Sequence, residues 1–420
     1  MRSPQADPAA SREFAASVVS RLRGGGHETY WAGGCVRDEL LGRIPADYDV
    51  ATAATPDEVR AVFGRRRTLA VGAAFGVITV LGPERAGQVE VATFRADAAY
   101  TDGRHPAGVT FCSAREDAKR RDFTINGLFL DPLSGEVHDF VGGRDDLAAG
   151  IVRAIGVPAM RFGEDHLRML RAVRFTAFFD FVLEAETRRA IERMGHLVVS
   201  VSPERIAAEL RAMVSRTGRR RALELLLDTG LAGEVLPEVA PLEGDGAGRE
   251  AWAAAAAVVG ALDEPALPQT LAIMTAHRDT RELAGIAARL RLSNHEAKAA
   301  GWLHEAIREL GESGLQRRAW STVQPWVADP RAPLLADLMR ARAACGHGYP
   351  AAAAWLTAQV ERPRQEIDPP PLVSGSDLLA AGVPAGPAVG AALARIRVLQ
   401  LDGRITSKEE AIAAVGGLGR

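Results

Sequence analysis

Cysteine is scarce in this chain of 420 residues. Cys35, Cys112 and Cys345 are far apart and show no C-x-x-C spacing, which excludes a disulfide framework and a cysteine zinc site and fits a reducing cytoplasm. Long apolar runs are missing too. Nothing approaches the roughly 18 residues of a membrane span, so no membrane partner is expected, and MRSPQADPAASREF lacks the charged-then-apolar order of a signal peptide. Nor is there an excess of one charge. The 51 Lys and Arg against 53 Asp and Glu leave a formal net charge of -2, which by itself does not suggest a nucleic-acid partner. No internal repeat of fixed period is visible.

What the chain does have is 47% hydrophobic and 25% charged residues, the balance of a soluble protein with more than one domain. Its arginines cluster locally, at Arg65 to Arg67, Lys119 to Asp122, Arg168 to Arg174 and Arg216 to Arg221. Each cluster reads either as a solvated face or as a phosphate contact. Phe14, Val18 and Leu22 at four-residue spacing predict an amphipathic helix ending at Gly24 to Gly26. A short strand over Glu28 to Ala32 follows, and Gly33-Gly34 lets the backbone turn into a helix over VRDELL. Asp47 to Val50 predicts a second strand, with Asp47 and Asp49 on one face and Tyr48 and Val50 on the other. Further strands are expected at 76–82 and 88–94. FTINGLFLDP is expected in or beside the same sheet, and DPLSGEVHDF as a turn between strands. After about residue 150 mixed α/β gives way to helix, with a proline-rich linker, PRQEIDPPPL, before a last pair of helices over 376–418.

Two carboxylates on one strand face lie close enough to share a divalent cation, most plausibly Mg²⁺ with its hard oxygen ligands. Alone, D-x-D is as readily a surface acidic pair. Gly33-Gly34 adds backbone N–H groups and a positive helix end suited to phosphate. Arg37 stands one turn on and could add charge-assisted hydrogen bonds. Glu90 supplies a third carboxylate on a separate strand, to complete a metal site or to take a proton from an attacking hydroxyl.

In order, GG-C-VRD, D-x-D, RRDFTIN, EDHLRMLRAVRF and SPERI, between Gly33 and Ile206, resemble the class II tRNA nucleotidyltransferase and bacterial poly(A) polymerase family. ALELLLDTGLAGEVLPEV and the closing segment resemble that family's helical body and tail. The resemblance implies an α/β nucleotidyltransferase (polymerase beta-like) palm over 1–150 and an all-α remainder. That remainder would be a neck over 151–215 with the base-reading helix, an RNA-binding body over 216–365 and a tail over 366–420. It implies that Asp47 and Asp49 bind metal and that Gly34 and Arg37 hold the triphosphate. Arg121 would contact nucleotide, while Asp122 and Asn126 would read the ribose or brace the pocket; a buried structural amide is the other reading of Asn126.

Asp165 and Arg168, three apart on an expected helix, would share a face and present an acceptor beside a fork of donors. Such a pair can read the base edge of cytosine or adenine in place of a template. Uracil or guanine would put a carbonyl against Asp165 and forfeit a buried hydrogen bond, about 1–3 kcal/mol. Arg171 and Arg174 continue the stripe as nucleotide-pocket arginines. His105, in DGRHP, falls where the family has a mobile loop, and no catalytic role is assigned to it. The resemblance thus implies template-independent addition of CCA, or its terminal A, to the 3′ end of tRNA from CTP and ATP with Mg²⁺, in the cytoplasm and with no obligate protein partner. Polyadenylation of other RNA 3′ ends and an inactive RNA-binding relative are the alternatives. RTGRRR is a candidate RNA contact.

Overall fold

The computed structural model describes residues 7–97, 109–263, 265–311 and 313–414. His105 and the segment around it lie outside these. The chain divides into two compact units, one of residues 1–213 with 221–237, the other of 214–220 with 238–420.

The first unit opens with helix α1 (Pro8–Gly24), whose Ala15, Val18, Val19 and Leu22 are buried. Strand β1 (Thr29–Ala32), helix α2 (Gly34–Leu40), strand β2 (Asp49–Thr52) and helix α3 (Pro56–Phe63) follow. Next come β3 (Thr68–Leu69), β4 (Val77–Leu81), β5 (Gln88–Thr93) and the two strands of a separate hairpin, β6 (Arg95–Asp97) and β7 (Val109–Phe111). Helix α4 (Ala114–Arg120) leads to β8 (Leu128–Leu130) and β9 (Val137–Asp139). Seven strands form one sheet in the order β3-β4-β5-β2-β1-β8-β9, antiparallel except for the central pair β2 and β5.

Strand alternation decides what each face does. Trp31, Val50, Ile78, Val80, Val89 and Val91 are buried, on the face that α1 and α3 cover. On the opposite face Ala32, Ala51, Phe94 and Phe129 cluster with Ala114 and Ala118 of α4. The row that begins at Asp49 lies beyond this cover and stays open: Asp49 and Glu90 are exposed, and Thr79 is half-buried. FTIN is not strand but a 3-10 turn over Thr124–Asn126 that delivers the chain to β8.

Helix α5 (Gly143–Ala149) and β10 (Ile151–Val152) follow; β10 pairs in parallel with β11 (Val182–Leu183). Between those strands lie α6 (Pro158–Glu164) and α7 (Leu167–Phe179), and after them α8 (Ala185–Met194) and α9 (Pro203–Val214).

The second unit is helical. Helices over Gly246–Gly260, Leu267–Met274, Thr280–Arg289, Asn294–Leu310, Trp320–Val327, Ala332–Ala344 and Pro350–Val360 succeed one another. PRQEIDPPPL is not a bare linker. It holds a short helix, Arg364–Ile367, and its proline carbonyls accept from Arg397 and Gln400. Three helices, not two, end the described chain, at Gly375–Ala380, Pro387–Leu401 and Lys408–Ala413, around Val373, Leu378, Ala392, Ile396, Ile405 and Ala411. Among the described residues no helix is long and apolar enough to cross a membrane.

Candidate active site

The two aspartates bracket a buried tyrosine. β2 begins at Asp49, and Asp47 sits in the bend before it rather than within a strand, because the pairing of β1 with β2 runs only from Val50 to Thr52. Tyr48 turns inward, its ring centroid 4.7 Å from that of Trp31, and its hydroxyl donates to Glu39 Oε1 at 2.7 Å. Arg12 Nε donates to the same oxygen at 2.8 Å. The D-x-D turn is thereby tied to α2 and α1.

Asp49 lies in register with Glu90 on the parallel neighbour β5. Although Asp49 is exposed as a residue, partial desolvation of its carboxyl against the sheet pushes it up to about 6, with the charges of Asp47 and Glu90 adding and Arg121 opposing. Among the described residues no three His, Cys, Asp or Glu side chains converge into a ready-made metal cage, so Glu90 stands beside Asp49 without completing one. A pair of carboxylates still suits Mg²⁺, which commonly takes one or two protein carboxylates and completes its shell with substrate phosphates and water.

The glycine turn needs its glycines. Gly33 has φ of 76°, and a Cβ there would stand 2.8 Å from Arg121 Nη1. Arg121 is held over the Phe129 ring at 5.0 Å and donates from Nε and Nη2 to Asp117 at 3.1 and 3.0 Å. Burial alone would raise the Asp117 carboxyl, but Arg121 and then Arg120 outweigh it and hold it below the usual range.

Behind the turn runs a continuous polar ladder. Arg37, only 7% exposed, donates to Asp38 at 2.9 Å and from Nη1 to Asn126 Oδ1 at 2.6 Å. Asn126 Nδ2 donates to Asp122 Oδ1 at 3.0 Å, and Arg171 Nε donates to Asp122 Oδ2 at 2.8 Å. Arg174 Nε donates to Glu209 Oε2 at 2.6 Å. Phe175 takes three of these guanidinium groups against its ring, Arg174 at 4.3 Å, Arg37 at 5.2 Å and Arg171 at 5.3 Å. Asp122 is lowered to about 2: burial opposes this, and Arg171 followed by the Asn126 amide overcomes it.

Asp165 and Arg168 depart from expectation. Asp165 is not helical; its backbone (φ -149°, ψ 104°) breaks the chain between α6 and α7. Its Oδ1 accepts from the Leu167 N–H at 3.1 Å, satisfying a donor at the start of α7. Its Oδ2 accepts from Arg205 of α9 at 2.7 Å. Arg168 donates to Glu164 at 2.6 Å, to the Arg161 carbonyl at 2.9 Å and to the Arg120 carbonyl at 3.3 Å. The two side chains are therefore each anchored by a different partner rather than joined on one helical face. Arg205 and Glu209 were missed as site residues. Their signal was available in SPERI and the glutamate four positions on, which share a face of α9.

RTGRRR is engaged within the protein. Arg219 donates to the carbonyls of Val259, Gly260 and Leu262, and Arg221 pairs with Asp180 and the Phe181 carbonyl.

Residues 29–153 match the poly A polymerase head domain, and residues 180–243 match the domain described as "Probable RNA and SrmB- binding site of polymerase A". Over these two stretches the chain is similar to bacterial poly(A) polymerases and to the CCA-adding enzymes that share their head domain. The CCA-adding enzyme of Anoxybacillus flavithermus is 44% identical over 54% of this chain and 56% of its own length. That of Geobacillus stearothermophilus is 41% identical over 52% and 53%. The matched stretch thus spans about half the length of these curated relatives. The crystal structure of the Bacillus stearothermophilus CCA-adding enzyme in complex with CTP superposes with a TM-score of 0.77 at 29% identity, over 97% of both chains. The Thermotoga maritima CCA-adding enzyme complexed with tRNA shares the fold, with a TM-score of 0.68 at 18% identity over 97% and 95%. A nucleotidyltransferase head with a mixed sheet followed by a helical remainder is the architecture this chain shares with the Bacillus stearothermophilus enzyme.

Proposed function

We propose that the protein adds nucleotides, CCA or its terminal A, to the 3′ end of tRNA from CTP and ATP and releases pyrophosphate. The observation that carries this reading is the register of Asp49 with Glu90 beside Asp47, on an open stretch of sheet, in the same unit as the arginine ladder of Asn126, Asp122 and Arg171. Asp47 and Asp49 would hold Mg²⁺. Bound there, the ion would neutralise charge at the α-phosphate and ease ionisation of the attacking hydroxyl. Glu90 takes the proton of that hydroxyl. Gly34, Arg37 and Arg121 hold the triphosphate, with Gly33 keeping the backbone close. Asp122 and Asn126 brace the pocket, and Arg171 and Arg174 line it.

Asp165, held by Arg205, reads the exocyclic amine of cytosine or adenine, and Arg168, anchored separately on Glu164, supplies a donor to the base. An ionised carboxylate has lone pairs for both Arg205 and a base amine. We assign residues 1–150 to the head, 151–215 to the neck, 216–365 to an RNA-gripping body and 366–420 to the tail. The three free cysteines support a cytoplasmic setting.

The test is incorporation of labelled CTP or ATP into tRNAs lacking CCA, tRNAs ending in CC, and an unrelated poly(A) primer. Two C then one A is the CCA-adding outcome, and A only on the CC-ended tRNA is the A-adding one. Long A tails on the primer would replace this reading with polyadenylation. Asp47→Ala with Asp49→Ala should abolish incorporation while leaving the circular dichroism spectrum unchanged.

A further inference from the structure

Three of the four arginine clusters are tied up inside the protein. Arg120 and Arg121 pair with Asp117; Arg168, Arg171 and Arg174 pair with Glu164, Asp122 and Glu209; Arg219 and Arg221 cap carbonyls and meet Asp180. Arg65, Arg66 and Arg67 are different. They form an exposed 3-10 turn between α3 and β3, and among the described residues none of their side chains has a hydrogen-bond or ion-pair partner.

The sheet register connects this turn to the catalytic carboxylates. Asp49 of β2 pairs with Glu90 of β5, Glu90 with Thr79 of β4, and Thr79 with Leu69 of β3, the edge strand that directly follows Arg67. Cross-strand partners project to the same face, so these four side chains form one row across the sheet. The row is open. Asp49 and Glu90 are exposed, Thr79 is half-buried and Leu69 is 44% exposed, whereas the alternating positions Val50, Val89, Ile78 and Val80 are buried beneath. It runs from the acidic Asp49 and Glu90 to the neutral Thr79 and Leu69, and the three arginines immediately precede the strand on which it ends.

We propose that this row is the track for the single-stranded 3′ end of the RNA primer, with the reactive hydroxyl at the Asp49 and Glu90 end and upstream phosphates on Arg65, Arg66 and Arg67. The inference rests on the reading of the site as an RNA 3′-end nucleotidyltransferase. Its polarity follows from charge: phosphates avoid the carboxylates and settle on unpaired guanidinium groups, which suit them geometrically. Its length is apt. Three inter-strand steps of about 4.8 Å span about 14 Å, which about four stacked nucleotides at about 3.4 Å each cover.

The experiment compares the full chain with the combined variant Arg65→Ala, Arg66→Ala, Arg67→Ala and with Leu69→Glu. Equilibrium binding is followed against salt on two tRNAs, one ending in CC and one trimmed to the paired acceptor stem. Three lost phosphate contacts to a single strand should flatten the log-log salt dependence by about 2 for the tailed tRNA alone. The KM for tailed tRNA should rise about tenfold or more, while the KM for ATP stays within about twofold, a split expected of lost primer binding. Leu69→Glu, an exposed change on the same row, should raise the tailed-tRNA KM in the same direction. Equal loss on both tRNAs would assign the arginines to the duplex and overturn the track. So would an unchanged salt slope, or a change confined to the KM for ATP. Wild-type protein that extends no tRNA would overturn the functional reading and this inference with it; an active wild type with an unaltered triple variant overturns this inference alone.

Discussion

Asp49 stands near 6 because burial and two neighbouring carboxylates, Asp47 and Glu90, disfavour its charge. A carboxyl raised above its ordinary value of about 3.9 contributes stability below that value and loses it as pH climbs through 6. The metal-free protein therefore forfeits stability between about pH 4 and 6 at this position. The carboxyl keeps a side toward solvent, so screening limits the effect to the order of 1 kcal/mol. Asp49→Asn should raise the melting temperature of metal-free protein at pH 8 by about 2–4 °C while abolishing nucleotide incorporation. Mg²⁺ should stabilise wild type more at pH 8 than at pH 5; scanning calorimetry with and without chelator distinguishes this from a pH-independent metal effect. A second residue-scale expectation concerns Arg205, whose guanidinium holds Asp165 Oδ2. Arg205→Ala frees that carboxylate to rotate, and discrimination of ATP and CTP against UTP and GTP should fall about tenfold, the equivalent of one hydrogen bond of about 1.4 kcal/mol. Misincorporation ratios on a CC-ended tRNA measure it, and unaltered ratios would remove Arg205 from base selection.

At the scale of elements, α7 is fastened to the sheet domain through Asp122, in the turn ahead of β8, and to α9 through Glu209. Asp122 is held down near 2, so its contribution is present above the ordinary carboxylate value and is lost as pH falls through 2. Asp122→Asn leaves half-buried Arg171 with only the longer contact to Glu209 at 4.0 Å and should destabilise the first unit by about 2 kcal/mol. The stability difference between wild type and variant should also shrink as pH falls from about 4 to 2; chemical denaturation across that range checks both. The sequence patterns reached these elements unevenly. The glycine pair, the alternation of Val89, Glu90 and Val91, and the helix carrying Val18 and Leu22 are local signals, and the structure forms each of them. The break at Asp165 is another matter. Its side chain caps the Leu167 N–H and reaches Arg205 forty residues away, so the helix ends through a long-range contact that no 3.6-residue period reports. Likewise the partners of Arg171 and Arg174 lie 49 and 35 positions distant. Arginine stripes could be counted from the sequence; which of them were already neutralised could not.

For the whole molecule the division into two units matters more than any single pair. Every residue assigned to metal, triphosphate or base falls within 1–213, in the first unit, whereas the second unit contains none of them. A ligand that binds only the folded first unit stabilises it by about 2.7 kcal/mol at a hundredfold excess over its dissociation constant. For a unit of this size that is a shift of about 5–10 °C at about 2–4 °C per kcal/mol. Unfolding of the full chain should therefore depart from a single two-state transition. Mg²⁺ with ATP should move one calorimetric peak upward and leave the other in place, and peptide-resolved hydrogen exchange should show added protection within 29–213 but none over 246–413. If both peaks moved together, the two units would unfold as one cooperative block and nucleotide binding would report on the entire chain. A tRNA ending in CC separates these cases further, because the proposed body grip predicts that it protects helices of the second unit that nucleotide alone leaves unchanged.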